Sequence, residues 1–396
     1  MSEIHNAYIV SACRSAIGVL LGGLSSFTAP QLGAFAIKEA VKRAGIDPNQ
    51  IDEVIMGQVV QGGVGQAPAR QAQIHAGVTP KASALTINKV CGSGLKAVML
   101  ATQAIKLGDA DCVVAGGMES MSGTPYILHG AKAGFKFGHR QLQDAMILDG
   151  LWCSFKDWHM GCAAELTAKK SNITRQEQDQ YAFNSHKKAV AAQQAGKFDK
   201  EIFPVAIPQK KGDPIMFNKD EGPRPNVTLE GLALLRPAFQ KDGTVTAGNA
   251  PGLNDGSSAA VVVSEKFMKA HNLKPLARII DYAAASVEPE LLFYAPVYAV
   301  NKLCAKMGVK VDHFDLIEAN EAFSAQCLAD GKDLGWDWNK VNVHGGAVAL
   351  GHPIGASGTR VLTTLIYALQ DRGKKRGMAT LCLGGGGAVA LAVELV

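Results

Sequence analysis

The sequence predicts an α/β fold made of two duplicated halves with an insertion between them, and three observations carry that expectation. The chain has 396 residues, 47% of them apolar and 43 of them glycine, which suits a tightly turned α/β enzyme and not a disordered or fibrous protein. Apolar helix patterns alternate with short strand patterns along it. The chain also repeats itself. Ala44-Gly45-Ile46-Asp47 followed by Ile51 to Gly57 is matched by Met307-Gly308-Val309-Lys310 followed by Phe314 to Asn320. Gly92-Ser93-Gly94 is matched by Ala356-Ser357-Gly358, and Val113 to Gly117 by Leu381 to Gly385, in the same order and at a nearly constant separation.

Taken in order, Ala7 to Val10 opens on a strand, and Ser83 to Val90 reads as another. Gly94 to Leu107 reads as a helix, apolar nearly all round and stopped by Gly108; Val361 to Leu369 is its counterpart. Each half thus runs helix, strand, strand, buried helix, strand, which implies mainly parallel crossovers and sheets covered on both faces. Residues 120–246 have no counterpart and are richer in polar, aromatic and proline residues, with one amphipathic helix from Arg175 to Gln194. The expected organisation is a first half of 1–119 and 247–273, an inserted loop domain of 120–246, and a second half of 274–396.

Composition excludes several functions. The formal charge of +5 is mild and scattered, and the cluster from Arg372 to Arg376 reads as a solvated helix end, so no nucleic-acid partner is expected. The eight cysteines show no CxxC pair, which argues against a zinc ribbon or a disulfide scaffold, and no metal is expected. They suit a reducing compartment. No signal core, transit stretch, membrane span or peroxisomal C-terminus is apparent, and a cytoplasmic protein without a membrane partner is the expectation.

Chemistry concentrates on Cys91, between the Ser83 to Val90 strand and the helix that follows. A lone cysteine there is usually a small buried hydrophobe, but a helix N-terminus also favours a thiolate and would lower its pKa. Gly351-His352-Pro353 offers an imidazole and Leu381-Cys382-Leu383-Gly384-Gly385-Gly386 a second thiol, and together these are the parts of an acyl-transfer site. Two rival motifs fail. Gly346 to Gly351 has phosphate-loop spacing, but His352-Pro353 stands where Lys and Ser/Thr are needed. Gly384 to Gly387 lies too near the C-terminus for a dinucleotide fold.

The wording around these residues is more specific than the residues themselves. Asn88-Lys89-Val90-Cys91-Gly92-Ser93-Gly94, Asn320-Glu321-Ala322-Phe323, Gly351-His352-Pro353-Ile354-Gly355-Ala356-Ser357-Gly358 and Cys382-Leu383-Gly384-Gly385-Gly386 occur in that order. Across essentially its full length the chain resembles the thiolase family, the acetyl-CoA C-acyltransferases. The resemblance implies an αβαβα layering and a Claisen condensation through an acyl-enzyme, with Cys91 as nucleophile, His352 as its activator and Cys382 as the second acid/base. It further implies one oxyanion hole from the N–H groups of Cys91 and Gly384, and another from His352 and a water held by Asn320; each donor typically contributes roughly 3 kcal/mol.

For ligand binding the resemblance implies that Arg224 packs on the adenine of coenzyme A. Leu151, His159 and Met160 would line the pantetheine and acyl end, with Ala247, Pro251, Leu292, Phe293, Ala322 and Phe323 completing the pocket. His159-Met160-Gly161 points to the short-chain, biosynthetic type. Acyl-CoA and coenzyme A are then substrates, no cofactor is permanently bound, and the insertion covers coenzyme A and carries contacts of a homotetramer, a dimer of dimers. Pro251, Leu292-Phe293-Tyr294-Ala295, His344 and Gly387-Ala388 depart from the family pattern and are expected near ligand, with Phe293 and Tyr294 bringing two rings to the acyl pocket. Rival readings are a decarboxylating ketoacyl synthase, which Cys382 with Asn320-Glu321 opposes, and an inactive acyl-CoA-binding homologue or partner subunit, which the presence of both Cys91 and His352 opposes. Within the thiolase reading, an aryl, branched or longer substrate remains open.

Overall fold

The structure, a computed structural model, describes residues 5–396. The first half supplies Ala7–Ser15 (β1), Ala29–Ala44 (α1), Glu53–Gly57 (β2), Pro68–His75 (α2), Ser83–Ile87 (β3), Ser93–Leu107 (α3) and Cys112–Ser120 (β4). Helices Met160–Lys170 (α4) and Arg175–Gln194 (α5) lie in the insertion, and Asn254–Ser264 (β5) returns to the first half. The second half comprises Ala277–Ser286 (β6), Ala295–Met307 (α6), Leu316–Ala319 (β7), Ser324–Leu334 (α7), Ser357–Asp371 (α8), Arg376–Leu383 (β8) and Gly387–Leu395 (β9).

The strand order is β7-β8-β9-β6-β1-β5-β4-β2-β3, so the duplication is written into the topology. One half reads β1-β5-β4-β2-β3, and the other reads β6-β9-β8-β7 followed by a single bridge from Ile317 to Val341 where β3 has its counterpart. Among the described residues the two half-sheets are joined by two paired positions, Tyr8 with Arg278 and Ile9 with Ala277. Helices α3 and α8 fill the space between the two half-sheets in one shared core, while α1 and α2 cover the far face of the first and α6 that of the second. These are the five layers αβαβα.

The mainly parallel pairing expected from the crossovers is found towards the ends, in β2 with β3 and β4 and in β7 with β8, and in a short pairing of Ile202–Phe203 with the end of β1. Through the middle β1, β5, β6, β8 and β9 pair antiparallel. For β8 and β9 the reason is local: three residues, Gly384 to Gly386, join them, and so short a link admits only a hairpin.

Small residues let the central helices touch. A Cβ on Gly358 would collide with Leu95 N, and Thr359 Oγ1 donates to Gly94 O at 2.8 Å. From Ser357 to Ile366 α8 is buried on every side, its polar residues included, and these find partners inside: Arg360 Nη1 donates to Glu318 Oε1 at 3.0 Å. Helix α5 has its expected bounds but not its expected apolar face. Its buried side includes Gln178, Asp179, Ser185 and His186, which dock by hydrogen bonds: Gln178 Nε2 to Thr244 Oγ1 (2.9 Å), Asn249 Nδ2 to Asp179 Oδ1 (2.9 Å) and Ser185 Oγ to Glu321 Oε2 (2.7 Å). The insertion is thereby tied to the Asn320-Glu321 segment, so buried polar groups find partners instead of bare apolar surface.

Candidate active site

Strand β3 stops at Ile87, three residues earlier than its pattern suggests, because the chain must turn sharply to present Cys91. Val90 sits at φ 45°, a left-handed conformation that is costly for a β-branched residue. The turn is pinned on several sides. Val90 N donates to Asn88 Oδ1 at 3.0 Å, Lys89 N donates to Ser93 Oγ at 2.8 Å, and Ser93 Oγ donates to Val90 O at 2.7 Å. A side chain on Gly92 would strike Leu383, so this glycine is what allows the end of β8 to approach the cysteine.

Cys91 then precedes α3 as expected, but its thiol is not acidic. Burial pushes its pKa up to about 12; its own N–H and that of Gly384 pull the other way, and buried Glu119 adds to the rise. The helix N-terminus does not overcome desolvation here, so the expectation of a lowered pKa is corrected: in the free protein this is a thiol.

His352 lies in the loop that leads into α8. Its N–H donates to Asn254 Oδ1 at 2.9 Å, its Nδ1 is 2.6 Å from Ser357 Oγ, and its Nε2 is 3.4 Å from Asn320 Nδ2. Burial, with a smaller contribution from the Arg360 guanidinium, brings its pKa down to about 3, so the ring is neutral over the physiological range. Asn320 follows β7, is fully buried, and its Oδ1 has no protein partner. The carboxyl group of Glu119, at the end of β4, accepts Val59 N–H at 3.0 Å, Val60 N–H at 3.2 Å and Gly355 N–H at 2.9 Å, joining loops of both halves, and burial raises its pKa to about 8 against the pull of these donors.

Cys382 lies near the end of β8, where burial and then the proximity of Cys91 hold its thiol pKa well above the ordinary value. The hairpin turn follows, with Gly385 at φ 82° and Gly386 at φ 91°, conformations that glycine adopts without strain. That turn is what brings the Gly384 N–H to the Cys91 sulfur.

One cavity of about 470 Å³ is lined by Cys91, His352, Cys382 and Gly384, and also by Leu151, His159, Met160, Arg224, Ala247, Pro251, Leu292, Phe293, Ala322 and Phe323. Asn320 stands just behind His352. The sequence-predicted residues therefore converge on one place. The wall is mostly apolar, with Phe293 edge-on to Phe323 at 5.3 Å and His159 stacked on Phe239 at 4.7 Å. His159 also caps α4, its Nδ1 accepting Gly161 N–H at 3.0 Å. Arg224 is exposed at the mouth.

Not every departure lies where it was expected. Pro251, Leu292 and Phe293 line the cavity, but Tyr294 turns away and its hydroxyl lies 2.7 Å from Ser171 Oγ. His344 packs against Phe198 and faces Asp371, and Ala388 is in the core of the second half-sheet. Successive residues of a strand or tight helical turn face different ways, so adjacency to Phe293 did not carry Tyr294 into the pocket. Sequence reasoning missed Glu119, Asn254, Ser357 and Phe239. Glu119 left a trace, being a charged residue at the end of an apolar strand, whereas Asn254, which opens a polar run, and Phe239 left none.

Fold and cavity together define a duplicated α/β enzyme with paired thiols. The family model for the thiolase N-terminal domain matches residues 7–266, and that for the thiolase C-terminal domain matches 273–395. An acetyl-CoA acetyltransferase of Allochromatium vinosum is 53% identical over 390 residues, covering 98% of this chain and 99% of its own. One from Cupriavidus necator is 54% identical over 386 residues, 98% of each. The crystal structure of the Bacillus anthracis acetyl-CoA acetyltransferase superposes with a TM-score of 0.98 at 42% identity, over 100% of both chains. The chain belongs to the thiolase family.

Proposed function

We propose that the protein catalyses reversible transfer of an acetyl group between coenzyme A thioesters, joining two acetyl-CoA into acetoacetyl-CoA and coenzyme A or cleaving the product in reverse. The convergence of Cys91, His352 and Cys382 on one apolar cavity carries this proposal, and the names of the relatives support it. Cys91 attacks the thioester carbonyl as His352 takes its proton, and the developing oxyanion is met by the N–H groups of Cys91 and Gly384. The departing coenzyme A thiolate takes the Cys382 proton, and the Cys382 thiolate so formed removes the α-proton of the second acetyl-CoA; the carbanion attacks the acyl group, and the released Cys91 sulfur takes back the proton held by His352. Asn320, with its free Oδ1, suits a water that completes a second oxyanion site with His352. The apolar wall keeps solvent water from hydrolysing the acyl-enzyme.

Arg224 at the mouth and His159 and Met160 deeper in suit an adenine and a pantetheine arm respectively. The arm between the pair Tyr126–Ile127 and Gln143–Asp144 exposes Tyr126, Phe135, Phe137 and Leu142, Phe137 to 99%, as contact residues of a homotetramer would be before assembly. All eight cysteines are unpaired, consistent with a reducing compartment, and among the described residues no helix is long and apolar enough to cross a membrane. Incubation with labelled acetyl-CoA followed by peptide mapping tests the proposal: label on Cys91 and cleavage of acetoacetyl-CoA by added coenzyme A are expected. Binding of acyl-CoA without either reaction would favour the inactive homologue.

A further inference from the structure

Among the residues that line the cavity Arg224 alone carries a full charge, and it is exposed at the mouth. It stands between Pro223 and Pro225. A proline fixes its own φ and steers the residue before it towards extended backbone, so this stretch is stiff, and of the three residues only Arg224 has an N–H to give. The chain is held down on either side. Asp220 accepts from both terminal nitrogens of Arg14 and from Ile17 N–H, and Gly222 lies against the carbonyls of Ala349 and Leu350, where a Cβ would collide. Beyond, Val227 packs against Ala182 of α5 and Val348. Between these anchors Arg224 N–H donates to His186 Nδ1 at 3.2 Å, the one side-chain hydrogen bond that residues 222–226 make among the described residues. A backbone N–H can only donate, so Nδ1 is the bare ring nitrogen whatever Nε2 meets. Burial, and then the Arg224 guanidinium, bring the pKa of His186 down to about 4, so the ring remains an acceptor at neutral pH. His186 is 3% exposed and lies outside the cavity lining.

We infer that His186 is a positioning residue for the nucleotide end of coenzyme A: by taking the Arg224 N–H it fixes the stiff segment 223–225 against α5, so that the guanidinium stands ready at the cavity mouth before the ligand arrives. This rests on the function proposed above, with Arg224 at the adenine. A thin arm ending in a thioester suits the apolar cavity, and the anionic nucleotide suits the one cation outside it. A long arginine on a loosely held loop would have to be ordered at the moment of binding, and holding its backbone beforehand removes part of that cost. His186 thus acts on the ligand through Arg224 and has no part in the reaction of the thioester.

Acetyl-CoA and acetyl-pantetheine present the same thioester, and only the first carries the nucleotide, so the ratio of their kcat/KM values as acyl donors isolates the mouth. His186→Leu keeps a buried side chain but removes the acceptor. It should lower that ratio by about two- to tenfold, the scale of one hydrogen bond, through KM for acetyl-CoA and not through kcat. His186→Asn, whose Oδ1 takes the place of Nδ1, should keep most of the ratio. In an Arg224→Ala background His186→Leu should lower it no further, because no guanidinium is left to place. An unchanged ratio in His186→Leu overturns the inference, as does equal loss on both donors, which marks a merely structural fault. An additive effect with Arg224→Ala, or a folded Asn variant no better than Leu, also overturns it. Should His186→Leu not fold, His186→Ala is read by the same ratio. If the wild type transfers no acetyl group from either donor, it is the acyl-transfer proposal that fails; calorimetric affinities for coenzyme A and pantetheine then supply the ratio and still decide what His186 does.

Discussion

At the scale of single residues, Cys91 and His352 form a neutral pair. With the thiol near 12 and the imidazole near 3, neither changes charge across the ordinary working range, and the proton moves only when substrate is in place. The sign for the histidine is that its base form persists until pH falls towards its lowered pKa. The rate of acyl-enzyme formation, measured by rapid quench, should therefore be flat between about pH 5 and 8, and a limb centred near 6.5 would show an ordinary imidazole. His352→Ala should slow the same step by roughly two to four orders of magnitude. Cys382→Ser divides the chemistry differently: the variant should still load Cys91 but lose exchange of the acetyl-CoA α-protons and with it condensation. Equal loss of both steps, followed by mass spectrometry and deuterium wash-in, would make the two cysteines one coupled unit.

At the scale of elements, the site is a meeting of two loop ends. The Asn88 to Gly92 turn and the β8–β9 hairpin approach so closely that a Cβ on Gly384 would sit 3.1 Å from Val90 Cγ1. Gly384→Ala should push the hairpin off the Cys91 turn and spoil the N–H that faces the sulfur. Acylation is expected to fall by about a hundredfold, the scale for losing one oxyanion donor, while the melting temperature moves by only a few degrees. A fully active Ala variant would show that this N–H is dispensable. The elements themselves were legible wherever local pattern decides them: α5 has its expected bounds, and α3 and α8 lie where apolar runs and glycines place them. Legibility ended where distant strands choose partners. Nothing local says that β5, arriving after an insertion, pairs antiparallel with both β1 and β4. In the site, motif residues such as Cys91, His352 and Cys382 could be read, whereas Phe239 reaches the cavity only through the path of the insertion, and Tyr294 leaves it because its neighbour's orientation is not its own.

At the scale of the whole molecule, the duplicated frame fixes the reacting groups while the insertion and the Leu292-Phe293 segment shape the space around them, so chemistry and substrate choice are carried by separable parts. One stretch of the cavity wall is aromatic, Phe323 lying edge-on to both Phe293 and Phe239, and Leu292 and Phe293 are each only 2% exposed. A filled pocket admits further methylenes only by repacking, which costs about 1 to 3 kcal/mol, whereas burial returns about 0.8 kcal/mol per methylene. A chain one or two methylenes longer regains only about 0.8 to 1.6 kcal/mol, less than the upper repacking cost, so kcat/KM for acetoacetyl-CoA should exceed that for the straight six-carbon 3-ketoacyl chain, by up to roughly tenfold. Phe293→Ala removes one ring of that wall and should narrow or invert that ratio without preventing acylation of Cys91, because Phe293 is no part of the proton path. The same rings could instead stack on a flat acyl group, since edge-to-face aromatic contacts are themselves favourable. An aryl 3-ketoacyl-CoA run beside the other two decides: if it is the best substrate of the wild type and loses most from Phe293→Ala, the aromatic wall is a recognition surface and not a stop.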